Sequence, residues 1–291
     1  MKRIGIIGTE NSHALHFAKS FNLPDPQTGE RLYPDMKVVG VYGPDQESAE
    51  KVKAEAGADF IADSPEDFFG KVDAMMITSR KGSKHLEYAL PFLEAGMPVF
   101  VDKPLTSNVE EAQQLIATAE KNGSLITGGS GCKYAWDVEI LKSRADKLKA
   151  TDELLSASIN FAADTQSEYD GFFFYAPHLT EMALTIFGED IQGLQAFESA
   201  GGVMTVLRYP DYDVSLHYTR NSSVSSATLY GKTFNVQREI DISMIYGLEV
   251  EKFAEILRTG KMKHSYAFYA QPVVIMDAIL RSLEEGIEIK L

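Results

Sequence analysis

Up to about residue 130 the chain alternates short apolar runs with amphipathic stretches of about a dozen residues, and few architectures accept that rhythm. RIGIIG (3–8), KVVGVYG (37–43), VDAMMITS (72–79), MPVFVDKP (97–104) and SLITGG (124–129) read as strands without a polar face. Strands apolar on both sides must be buried on both sides, as in a parallel sheet covered by helices. HALHFAKSFN (13–22) sets Ala14, Phe17, Ala18 and Phe21 on one helical face. QESAEKVKAEAG (46–57), KHLEYALPFLEAG (84–96) and VEEAQQLIATAEKNG (109–123) read as helices closed by glycine. A short strand near Phe60-Ile61 and a capped helical turn at SPEDFFG (64–70) complete the order. The expectation is an α/β chain whose residues 1–128 form a doubly wound parallel sheet of Rossmann type.

After Gly128-Gly129 the rhythm changes. A long helix over 134–149 leads into LLSASINFAA, GLQAFESA, GGVMTVLRYP, DVSLHYTR and SATLYGKTFNVQ, all short and alternating. Such strands build an antiparallel sheet with one face wetted or covered by another subunit. Two helices, VEKFAEILRTG and PVVIMDAILRSLEEG, follow. Residues 129–291 therefore read as a second, α+β domain with a large, mostly antiparallel open sheet. A net charge of −14 disfavours nucleic acid, and no apolar run reaches the roughly 18 residues of a membrane span. Cys132 is the single cysteine, so no internal disulfide is possible and a reducing cytoplasm is the expected compartment.

Ligands of doubly wound sheets sit at the carboxyl ends of the strands. The first such end reads Gly8-Thr9-Glu10-Asn11-Ser12-His13, where G-x-G-x-x-G would cradle a dinucleotide. Only the first glycine is present; Glu10 and His13 take the places of the second and third. Thr9, Asn11 and Ser12 can donate hydrogen bonds to a phosphate, whereas an ionised Glu10 cannot. On local grounds Asn11 or Ser12 equally reads as a simple helix cap. The second strand normally ends in an acid for the adenosine ribose. Gly43 stands there, and Asp45 follows, either reaching the ribose or capping the next helix. Thr78-Ser79 end the third central strand, before Arg80-Lys81-Gly82-Ser83-Lys84-His85, a cationic loop suited to an anion or simply solvated. Asp102-Lys103-Pro104 puts a lysine on stiff backbone at a strand end, where a cleft would suit it to proton transfer and a surface turn would not. His178 opens an apolar helix behind Phe172, Phe173, Phe174 and Tyr175, as a catalytic or a core histidine. Glu10, His13 and His16 repeat every three residues without a third strong ligand at a diagnostic spacing, so no metal site is expected.

Taken in order, RIGIIG, VDAMMIT, HLEYALPFLEAGMPVFVDKPLTSNVEEAQQLIATAEKNG, APHLTEMALTIFG and the two final helices closely resemble the Gfo/Idh/MocA family of glucose–fructose oxidoreductases and inositol dehydrogenases. The resemblance runs from residue 3 to about residue 290 and is most specific over 85–123. It implies NAD or NADP as cofactor, a sugar, polyol or related hydroxy compound as substrate, and homodimers or homotetramers built on the C-terminal sheet. Lys103 matches the lysine of the family's (E/D)KP motif, the acid/base beside the nicotinamide. His178 matches the histidine near the reacting carbon. Thr78, Ser79 and His85 match the loop bordering the nicotinamide, Arg80 lies in it, and Asp102 replaces the commoner glutamate. The departures are Glu10, His13, Gly43 and Phe174, the last standing where many members carry an aspartate. They keep two alternatives open: a ligand-binding or regulatory protein on the same fold, and an NAD-retaining enzyme that cleaves glycosides.

Overall fold

The computed structural model describes residues 1–151 and 153–291. Six strands form the first sheet: β1 (Lys2–Ile7), β2 (Met36–Tyr42), β3 (Phe60–Ile61), β4 (Ala74–Ile77), β5 (Val99–Asp102) and β6 (Ile126–Gly129). Their order is β3-β2-β1-β4-β5-β6 and every pairing is parallel. Four helices connect them: α1 (Ser12–Asn22), α2 (Gln46–Ala56), α3 (His85–Glu94) and α4 (Val109–Asn122). Side chains cap the N-termini of α1, α2 and α4, from Asn11, Asp45 and Asn108 respectively. Left-handed glycines, Gly57 and Gly123, close α2 and α4. Chain order reverses between β1 and β4, the switch point at which such sheets open a crevice beyond their carboxyl ends.

The remaining chain begins with α5 (Trp136–Ala150), β7 (Leu154–Ala162) and α6 (Ala176–Phe187). The meander β8 (Gly193–Ser199), β9 (Gly202–Arg208) and β10 (Asp213–Thr219) follows, then β11 (Ser226–Gly231) and β12 (Asn235–Glu239). The expected single strand over 226–237 is thus a hairpin, turning at residues 232–234. The chain closes with α7 (Ile245–Thr259), α8 (Tyr266–Glu285) and β13 (Ile289–Lys290). The second sheet runs β12-β11-β7-β10-β9-β8-β13. Only the β7–β10 pair is parallel among its described pairings.

Two compact units result. The first comprises Met1–Gly129 and Tyr246–Ala270, the second Ser130–Ile245 and Gln271–Leu291. A boundary near residue 128 does not anticipate the return of α7 to the first unit. Val250, Phe253, Ala254 and Leu257 join Ile4, Ile6, Phe17, Phe21, Val38 and Phe100 in one buried cluster. Phe100 meets Phe17 and Phe253 edge-on at 5.4 and 5.9 Å. Arg258 fastens the end of α7 to Asp35, before β2, at 2.6 Å. In the second unit α6 is buried almost throughout, and Thr180 shares a 2.9 Å hydrogen bond with the Tyr218 hydroxyl of β10. Burial pushes that phenol's pKa up.

Candidate functional site

The first constellation belongs to the first unit and lies at the carboxyl ends of β1, β4 and β5. Gly8 leaves β1 with φ +109°, and a Cβ there would come within 2.2 Å of the Ser79 backbone nitrogen. Only glycine allows this turn to pass so close to the end of β4. Thr78 reinforces the closure, its hydroxyl donating to the Ile7 and Gly8 carbonyls at 3.1 Å each.

Glu10 and His13, the two residues in place of fingerprint glycines, each reach a neighbouring strand end. Glu10 Oε1 accepts the Arg80 backbone N–H at 3.0 Å, and the Arg80 guanidinium donates to the Glu10 carbonyl at 2.6 Å. The other carboxylate oxygen, Oε2, is buried without a hydrogen-bond partner. His13 Nδ1 lies 2.6 Å from Asp102 Oδ2. Asn11 accepts the His13 backbone N–H as the α1 cap and donates to the same Asp102 oxygen at 3.3 Å. Asp102 Oδ1 accepts the Lys103 backbone N–H at 2.7 Å. Asp102 is fully buried, which pushes its carboxyl pKa up; the His13 ring and the Lys103 charge outweigh this and hold it below the usual range. Lys103 is 5 % exposed.

His85 braces the same region from within. Its ring is fully buried, Nδ1 2.7 Å from the Pro104 carbonyl and Nε2 2.8 Å from the Ser79 carbonyl. Both neighbours are acceptors, so both contacts are hydrogen bonds only when both ring nitrogens carry protons. The ring therefore ties the β4 end to the turn carrying Lys103.

The β2 end differs from the expected ribose site. Asp45 is the α2 cap, its carboxylate accepting from the Ser48 N–H at 2.7 Å and the Ser48 hydroxyl at 2.9 Å. Asp45, one of the two acids (with Glu47) that could reach a ribose from this turn, thus serves as the helix cap. Gly43 faces Thr9, whose hydroxyl would stand 1.8 Å from an added Cβ and instead meets Ser48 Oγ at 2.7 Å. The cationic loop is likewise partly occupied, with Arg80 on Glu10 and Lys84 paired with Glu87 at 3.0 Å. Of Glu10, His13 and His16, Glu10 turns to Arg80, while His13 and His16 both pack on Tyr246, at 4.7 and 4.9 Å.

A dinucleotide fits what remains. The glycine turn at Gly8 opens onto the start of α1, whose first residue, Ser12, is exposed. The Ser79 hydroxyl at the β4 end is buried without a hydrogen-bond partner. Glu10, the group most hostile to a phosphate, is committed to the Arg80 amide.

The second constellation lies within the second unit, around His178 in the first turn of α6. Its Nδ1 is 2.7 Å from Ser130 Oγ and 3.5 Å from Cys132 Sγ, and its ring rests on Phe161 at 5.3 Å. Ser130 is itself fixed: its N–H donates to Glu181 Oε1 at 2.8 Å and its hydroxyl accepts the Cys132 N–H at 3.1 Å. Glu181 Oε2 forms a buried ion pair with Lys133 at 2.6 Å. Phe174 packs on Tyr169 and Tyr175 at 5.1 and 4.8 Å. Sequence reading missed Ser130, Lys133 and Glu181. The one available signal was the i, i+3 spacing of His178 and Glu181 on α6.

A doubly wound sheet with a glycine turn after its first strand, and polar groups gathered at its carboxyl edge, defines a dinucleotide-binding class of fold. Residues 2–130 match the model of the Gfo/Idh/MocA oxidoreductase family, NAD-binding Rossmann fold. Among curated relatives, the uncharacterized oxidoreductase YdgJ of Escherichia coli is 26 % identical over 205 residues, 61 % of this chain and 56 % of that protein. Inositol 2-dehydrogenase 3 of Saccharopolyspora erythraea is 30 % identical over 123 residues, 42 % of this chain and 33 % of that protein. The chain thus aligns with about half or less of the length of these relatives. The solved structure of scyllo-inositol dehydrogenase from Lactobacillus casei, with bound NAD(H) and scyllo-inositol, superposes with a TM-score of 0.83 at 14 % identity. It covers all of this chain and 99 % of that one, so both units share its fold.

Proposed function

We propose that this chain is an NAD- or NADP-dependent oxidoreductase acting on a hydroxyl group of a sugar, polyol or related compound. The observation that carries the reading is Lys103: a nearly buried lysine at the carboxyl end of β5, in a turn held by Asp102 and His85, inside a domain matching an NAD-binding oxidoreductase family. Gly8, Thr9, Asn11, Ser12, Thr78, Ser79, Arg80 and His85 line or brace the strand ends that would hold the cofactor, which supplies a two-electron hydride acceptor when bound. Lys103 takes the proton of the substrate hydroxyl as its carbon is oxidised and returns it in the reverse direction. His178, whose Nδ1 meets the Ser130 hydroxyl, orients a substrate hydroxyl in this reading. Glu10, His13 and Asp102 shape the turn without touching the cofactor, and Asp45 serves its helix.

A second reading, a ligand-binding protein without hydride transfer, is favoured by the β2 end, where Asp45 is spent on its helix and Thr9 fills the space beside Gly43. Calorimetric titration with NAD, NADH, NADP and NADPH separates the two. Binding, with turnover on a polyol panel lost in Lys103→Met, supports the oxidoreductase; no binding at millimolar cofactor ends it.

Subunit association through the second sheet belongs to the same proposal. Phe197, Met204 and His217 sit side by side on β8, β9 and β10, and Phe197 and Met204 are exposed. The exposed Phe197–Met204 pair suits a dimer or tetramer face. Among the described residues no helix is long and apolar enough to cross a membrane. A cytoplasmic location is proposed on the cysteine count alone.

A further inference from the structure

We propose that His13 is a positioning residue for Lys103: standing where the third fingerprint glycine is missing, it anchors Asp102 and shares that carboxylate's charge with the lysine. The proposal rests on the reading of Lys103 as the acid/base group.

Three observations carry it. First, the His13 ring meets Asp102 Oδ2 at 2.6 Å, while the other oxygen of the same carboxylate holds the Lys103 backbone N–H at 2.7 Å. One buried group therefore joins the turn after β1 to the turn after β5. Second, the ring is held from two further sides, edge-on to Tyr246 at 4.7 Å and tilted on Phe17 at 5.7 Å, with only 9 % of the residue exposed. Third, a fully buried carboxylate is costly unless opposite charge and hydrogen bonds compensate it. Its compensation comes from the His13 ring, from Lys103 and from the Asn11 amide. A glycine at position 13 would supply none of this.

The consequence is electrostatic. A carboxylate shared by two cation-forming groups couples their titrations. When the His13 ring is charged it claims part of the Asp102 field and leaves less to hold the Lys103 ammonium protonated. Other titratable groups border the ring. On its own helix lies His16, whose pKa is lowered by burial first and then by the His13 and Lys19 charges. On α7 lie Tyr246 and, one turn further, buried Glu249. In the preceding turn lies Glu10, committed to Arg80. Of these, only Asp102 is bonded to the His13 ring among the described contacts.

The test is the titration of the His13 ring, followed by NMR on the full chain with isotope-labelled histidine. The His13 signal is identified as the one lost in His13→Gln. Asp102→Asn should lower the midpoint by about one pH unit or more, the effect of removing a charge in direct contact. Lys103→Met should raise it by about half a unit, because the repelling ammonium is gone. Lys103→Met leaves Asp102 in place, so the shift it causes reads the charge coupling between Lys103 and the His13 ring. A midpoint unmoved by Lys103→Met overturns the proposal, and that variant decides the matter even if Asp102→Asn does not fold. Calorimetry with NAD on the unaltered protein is read separately. Failure to bind would remove the oxidoreductase reading while leaving the measured His13–Lys103 coupling as it stands.

Discussion

Lys133→Met probes the second constellation most sharply. The Lys133 ammonium and the Glu181 carboxylate are 2.6 Å apart, with side chains 1 % and 4 % exposed. Water cannot screen this pair, so removing the cation leaves a buried carboxylate without its counter-charge. Breaking such a pair typically costs about 3–5 kcal/mol. For a folding unit of this size that corresponds to a melting temperature lower by roughly 10 °C. Glu181→Gln retains an amide oxygen for the Ser130 N–H, which Glu181 now accepts at 2.8 Å. The double variant Lys133→Met/Glu181→Gln should therefore recover about 2 kcal/mol relative to the sum of the single effects. Urea unfolding followed by circular dichroism and by Trp136, the only tryptophan, reads the second unit, to which Trp136 belongs. A cost for Lys133→Met below about 1 kcal/mol, or strict additivity in the double variant, would show that the Lys133–Glu181 pair does not stabilise the second unit.

The first unit yields three further predictions. Gly8→Ala should cost at least about 3 kcal/mol, since it combines φ +109° with a Cβ 2.2 Å from the Ser79 nitrogen; a thermal melt within 2 °C of the parent, as for a surface change of about 0.5 kcal/mol, would contradict this. Gly43→Asp, which restores the usual ribose acid, should destabilise by about 1–3 kcal/mol because Thr9 Oγ1 occupies the space. Adding Thr9→Gly should relieve the clash and bias calorimetric binding toward NAD over NADP. Finally, Asp102, Asp35 and Asp73 all titrate below the usual range when folded, Asp102 through His13 and Lys103 despite its burial, Asp35 through Arg258 and Asp73 through Arg3. Depressed folded values mean the stabilisation is complete above the unfolded carboxylate pKa of about 3.9 and lost as pH falls through the folded values. Stability measured by urea titration should therefore fall from about pH 4 downward, and less steeply in Asp102→Asn.

The parallel sheet was legible because its evidence is local. Strands such as AMMI and VFV are apolar on both faces, and Gly57 and Gly123 stop their helices where the periodicity ends. Asp45 as a helix cap was one of two readings, and a Pro-Asp turn ahead of a helix already favoured it. The return of α7 was not legible, because Phe253 carries no mark saying which sheet it will cover. The site partners were hidden by separation along the chain. Glu10 finds Arg80 70 residues on, His13 finds Asp102 89 on, and Ser130 meets His178 48 on. Read against a motif, Glu10 and His13 are losses; read against their partners, they are cross-links from the first strand end to the next two.

The proposal requires the rebuilt turn after β1 to hold a dinucleotide beside Lys103. Titration of the purified chain with NAD and NADP in a calorimeter, repeated on Lys103→Met, tests it most directly. Both proteins should bind either cofactor saturably, one to one, at sub-millimolar concentration, with polyol oxidation confined to the parent. Absence of binding at millimolar concentrations of either cofactor, or undiminished turnover by Lys103→Met, would contradict it.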